Sequence, residues 1–117
     1  MVAHLVLLTP RSDLTPEQRE AFIRAFEGAA RAIPSVRRVR VGKRILHGQA
    51  YEARAGGTYA FAAMFEFDDL AGLQAYLGHP AHQELGARFY DSLEEAVACD
   101  YDLGEVEAVR GWFEPRL

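Results

Sequence analysis

The sequence predicts an α+β fold: a ferredoxin-like βαββαβ sandwich built on an antiparallel sheet. Three observations predict it. Four apolar, strand-like runs alternate with two helical stretches in that order. The first and third runs are apolar on both faces, as strands covered on both sides are. The second run carries Arg37, Arg38, Arg40 and Lys43, charges that suit an exposed edge. A length of 117 residues is one domain's worth.

Each element has its own local cause. Val2–Thr9 reads as a strand that Pro10 ends. Thr15, Pro16 and Gln18 form a helix start, with a capping residue, a proline at the first position and a capping-box partner. Phe22, Ile23, Phe26, Ala29, Ala30 and Ile33 then fall on one stripe, and Pro34 stops the helix. Val36–Lys43 is the second strand, and Leu46–Gly57 a mobile loop. Tyr59–Phe67 is the third strand. Asp68 or Asp69 caps a short helix with apolar positions Leu70, Leu73, Tyr76 and Leu77. Gly78-His79-Pro80 interrupts it, and a further helix is expected from Pro80 to about Glu95. Ala96–Tyr101 is the last strand.

The strand faces carry the next step. Val2, Val6 and Leu8 alternate with Ala3, Leu5 and Leu7, and Tyr59, Phe61, Ala63, Phe65 and Phe67 alternate with Ala60, Ala62 and Met64. Two helices cover only one face of such a sheet. A second copy is the economical cover for the other, so the expected assembly is a homodimer, a dimeric α/β barrel. Residues 1–101 make the domain. Residues 102–117 form an extension whose Val106, Val109, Trp112 and Phe113 are expected to pack on their own subunit or on the partner.

Composition narrows the function. A net charge of -4 argues against nucleic acid and anionic membranes. The apolar opening is too short for a leader or a membrane span. The single cysteine, Cys99, forms no intrachain disulfide and makes a cytoplasmic location the default expectation. It most simply packs in the last strand. His47 sits in the loop and is expected to be solvated, and Gly56-Gly57 is a loop signal rather than a phosphate cradle.

His4 in the first strand, together with Tyr76-Leu77-Gly78-His79-Pro80-Ala81-His82, resembles the stress-responsive dimeric α/β barrel (Dabb) family. Ile33-Pro34-x-Val36, Val41-Gly42 and Asp100-Tyr101 also match, so the resemblance spans about residues 1–101. The family's best understood activity, in a plant polyketide cyclase, closes a linear polyketone by aldol condensation without metal or organic cofactor. The resemblance implies catalytic roles for His4, Tyr76 and His82.

The residues are suited to that chemistry. Pro80 places His82 in the first turn of a helix, whose positive end disfavours an imidazolium and leaves a neutral base. The Tyr76 hydroxyl is an oxyanion donor, and His4 orients it or a second oxygen. Leu85, Phe89 and Tyr90 supply apolar walls for a hydrophobic or aromatic small molecule. Gly78 is expected to take a left-handed turn, and His79 to be structural. No cofactor and no metal is expected: His79 and His82 lack an accompanying carboxylate or cysteine cluster. Three functions stay open: cofactor-free acid–base catalysis of the cyclase or lyase kind, a non-catalytic small-molecule-binding or stress-related dimer, and a cofactor-independent oxygenase.

Overall fold

The computed structural model describes residues 1–114. The chain runs β1 (Val2–Pro10), α1 (Pro16–Ala32), β2 (Arg38–Lys43), a 3-10 turn at Ala50–Arg54, and β3 (Phe61–Phe67). It continues with α2 (Leu70–Leu77), α3 (Pro80–Ser92), β4 (Leu93–Asp102) and α4 (Ala108–Phe113). The four strands form one sheet in the order β2-β3-β1-β4. All three pairings are antiparallel, so β1 and β3 are central and the arginine-rich β2 is an edge. The α+β, ferredoxin-like architecture agrees with the expectation.

Strand alternation sorts the sheet into two faces. Val2, His4, Val6 and Leu8 stand opposite Phe67, Phe65, Ala63 and Phe61, on the side covered by the helices. There Phe65, Phe67 and Tyr76 are essentially inaccessible, packed with Ala25, Ala29, Ile33, Leu73 and Leu85. Burying a side chain of this size stabilises the fold by roughly 1.5–3 kcal/mol. The other face carries Ala3, Leu5 and Leu7, flanked by Ala62 and Met64 on β3 and by Val97, Cys99 and Tyr101 on β4. Among the described residues no helix covers it, and Val97 and Tyr101 are exposed.

Several boundaries differ from those expected. α3 ends at Ser92, and β4 begins at Leu93 rather than Ala96. Leu93 pairs with Pro10 and is buried beside Val6 and Leu8, which outweighs continuing the helix. Glu95, expected on the helix, instead accepts from the Thr9 hydroxyl at 2.7 Å and from the Thr58 and Tyr59 amides at 3.1 Å. This clamp holds Tyr59 at a φ of 41°, so β3 starts only at Phe61. The loop expected to be mobile is tied down. Glu52 accepts from the His47 and Gly48 amides, and Arg44 donates to the Gly57, Thr58 and Glu52 carbonyls. Asp69, not Asp68, caps α2, accepting from the Gly72 amide at 2.9 Å, while Asp68 pairs with Arg37.

The extension leaves the sheet with the Leu103 amide bonded to the Met1 carbonyl at 2.8 Å. α4 has at most glancing contact with the other elements, and Trp112 and Phe113 are 64% and 83% exposed. Residues 115–117, the last three of the extension, lie outside the described residues.

Candidate active site

The corner between α2 and α3 positions the site. Gly78 was expected to be left-handed. It instead has φ -86° and ψ -5°, with its amide bonded to the Gln74 carbonyl at 3.0 Å. The reversal comes one residue later. His79 is extended, Pro80 takes the first helical position, and the His79 Nδ1 accepts from the Ala81 amide at 3.0 Å. His79 is thus a helix cap, the structural role expected of it.

His82 sits half-buried in the first turn of α3, its Nδ1 3.1 Å from the Leu77 carbonyl. A carbonyl oxygen only accepts, so Nδ1 carries the proton and Nε2 keeps a free lone pair. Burial is the main cause that holds the His82 pKa below its ordinary 6.5; the nearby His4 pushes the same way, and the Leu77 carbonyl opposes. The expected neutral imidazole is found, with burial as its first cause rather than the helix end.

Tyr76 projects from the last turn of α2 into the space beside His82, with ring centroids 4.7 Å apart. Phe65, Phe67 and His4 surround it at 5.1, 5.2 and 5.7 Å. Among the described residues its hydroxyl has no hydrogen-bond partner, and burial raises its pKa far above the ordinary 10.0. Tyr76 is therefore a neutral O–H donor throughout the physiological range.

His4 reaches the site from β1. Its Nδ1 lies 2.6 Å from Asp100 Oδ1, its partner across the β1–β4 ladder. The carboxylate accepts, so Nδ1 donates, and the ring edge bearing Nε2 turns away from Asp100. No hydrogen bond joins His4 to Tyr76; the two rings only touch. Asp100 is a site residue that single-sequence reading did not assign. It becomes visible only when the register sets residue 100 opposite residue 4.

His4, Tyr76 and His82 share one cavity of about 260 Å³. Leu85 and Phe89 line it. Tyr90 also lines it but is 86% exposed. Phe22 and Phe26 of α1 close the far side. Their spacing marked them as core, and only the packing of α1 against α3 makes them lining. Leu8, Phe22, Phe26 and Ala63 also border a second apolar groove that runs toward Val41, Lys43 and Phe61. A base, a hydroxyl donor and a buried imidazole around an apolar space are equipped to ionise a carbon acid. His47 is exposed and bonds the Tyr51 hydroxyl at 3.0 Å, away from this group.

Comparison with known proteins follows the same outline. The model of the "Stress responsive A/B Barrel Domain" matches residues 2–103. Olivetolic acid cyclase of Cannabis sativa is 26% identical over 100 residues, covering 86% of this chain and 94% of the cyclase. A dimeric ferredoxin-like protein of unknown function from Thermobifida fusca superposes with a TM-score of 0.64 at 28% identity, covering 87% of this chain and 90% of the other. Hydroxynitrile lyase from Passiflora edulis superposes with a TM-score of 0.73 at 24% identity, covering 90% and 94%. At that identity the lyase speaks for the fold alone.

Proposed function

This chain belongs to the stress-responsive A/B barrel domain family, and from that premise we propose that it is a cyclase- or lyase-like protein acting on a carbonyl compound without a cofactor. The observation that carries the reading is the pairing of His82 and Tyr76: a proton-free Nε2 beside a hydroxyl without a protein partner, in one apolar cavity. His82 Nε2 takes the proton from the carbon next to the carbonyl. The Tyr76 hydroxyl donates to the oxygen on which the enolate charge gathers. Asp100 holds His4, which presents its other edge to the bound molecule. The apolar walls suit an aromatic or short-chain ligand, and the neighbouring groove lets a longer one extend toward Phe61. The similarity to olivetolic acid cyclase supports the reading.

The uncovered face of the sheet supports a homodimer. Leu5, Leu7, Ala62, Met64 and Val97 are apolar and stand together, and one of the similar structures is described as dimeric.

The test uses deuterium exchange. Loss of the α-proton signal of 1-phenylbutane-1,3-dione in D2O is followed by NMR, with and without protein. The wild type is expected to exceed buffer, and His82→Ala to lose roughly a hundred- to ten-thousand-fold of the acceleration. Tyr76→Phe is expected to lose about a hundredfold. A protein that binds the diketone at this cavity without accelerating exchange is a non-catalytic binder. The His4–Asp100 bond favours that second reading, because it leaves one histidine satisfied by protein.

A further inference from the structure

We propose that the C-terminal segment is an intersubunit clasp: α4 docks through Val109, Trp112 and Phe113 on the outer sheet face of a second copy, beside that copy's edge strand β2. This rests on the homodimer reading above and adds a second contact to it.

Among the described residues, the segment is apolar and makes at most glancing contact with the other elements of its own subunit. Val106, Trp112 and Phe113 are 82%, 64% and 83% exposed, a cluster that water solvates poorly. The Leu103 amide bonds the Met1 carbonyl at its root. The chain is correspondingly flat and long, 53 × 39 × 22 Å, with a radius of gyration of 16.3 Å. A compact chain of this length has roughly 13 Å. The segment also lies past residue 103, where the family domain ends, so it is an addition to the shared fold.

Two features point to a second copy as the occupant. The first is continuity. Val97, Cys99 and Tyr101 form an apolar row on the outer face of β4, and the chain runs on from the end of that row through Leu103 into the tail. The second is charge. Residues 102–117 carry Asp102, Glu105, Glu107 and Glu114 against Arg110 and Arg116, so the tail is acidic on balance. On the outer face of the sheet, Arg38 of β2 already pairs with Glu66 at 3.8 Å, while Arg40 stands opposite Met64 and has no acidic partner among the described residues. A tail leaving β4 is three strands from its own β2, about 14 Å at the usual strand spacing. A second copy laid face to face brings its own β2 arginines to the acidic tail without that constraint.

Trp112 is the chain's single tryptophan and sits in the proposed contact, so it reports on it directly. Sedimentation and tryptophan emission are measured together, across dilution or, for a dimer too tight to dilute, in urea at two protein concentrations. The clasp predicts a dimer whose Trp112 emission is blue-shifted and moves to the red as the dimer dissociates. Phe113→Asp, which keeps the reporter, is expected to redden the emission. Truncation after Leu103 and Arg40→Glu are each expected to raise the dimer dissociation constant at least about tenfold. A dimer with red emission, or emission independent of concentration, or unchanged by truncation, overturns the clasp and leaves the homodimer standing. A chain that sediments as a monomer at every concentration overturns the homodimer reading itself.

Discussion

A single ring illustrates how the site is set. His82 is neutral near pH 7 because burial and His4 both oppose its protonation. On the proposed mechanism, the exchange rate rises with pH to a midpoint below 6.5 and then stays level. Tyr76 adds no descending limb at neutral pH, since its pKa lies far above 10.0. A pH–rate profile with its rise above 6.5 would remove His82 as the base. The same shift has a consequence for stability. As pH falls through about 6.5 the unfolded chain takes up the histidine proton first, so folding weakens on acidification until the folded-state His82 titrates too. Tyr76→Phe separates function from fold. Its hydroxyl has no protein partner, so urea unfolding is expected to move by less than about 0.5 kcal/mol while exchange collapses. A large loss of stability would mean that the hydroxyl is a structural bond.

At the scale of elements, α3 does two jobs. Its start is capped by His79 and carries His82, and its middle lines the cavity through Leu85, Gly86 and Phe89. A Cβ built at Gly86 meets nothing within 4 Å. Gly86→Ala is therefore expected to stabilise the chain by up to about 1 kcal/mol, the helix-propensity difference, while its methyl takes space from the cavity. A raised urea midpoint with weakened diketone binding confirms both, and unchanged binding would place Gly86 outside the ligand's reach. Helix starts were legible in the sequence because caps are local: Thr15 and Gln18 form the capping box. The end of α3 was not, because Leu93 and Glu95 answer to Pro10, Thr9 and Thr58, partners far away in sequence.

The whole molecule is a two-layer sandwich with one layer uncovered. Leu5→Arg puts a charge on the open face in the central strand β1, one strand in from the β4 edge and two from the β2 edge. It is expected to yield a folded monomer by sedimentation, with unchanged far-ultraviolet circular dichroism. A variant that stays dimeric would place the interface elsewhere. Because the site lies on the opposite face, beneath the helices, the monomer is expected to keep its cavity. Residual exchange in that monomer then measures how much catalysis belongs to one subunit.

What the sequence determined by itself is whatever depends on period and neighbours. Two-faced apolar runs placed β1 and β3 at the centre, the charges of β2 marked an edge, and the Gly78-His79-Pro80 break set a histidine at a helix start. His4, Tyr76 and His82 were recognisable as a group because their residue types and the spacing around Pro80 are distinctive, and the fold brings all three to one cavity. Only the tertiary structure decided the rest. Asp100 meets His4 through strand register, Phe22 and Phe26 become lining through helix packing, and Trp112 is left largely exposed because α4 makes at most glancing contact with the other described elements. The physical reason is one: these features depend on contacts between residues distant in the chain, and local spacing carries no record of them.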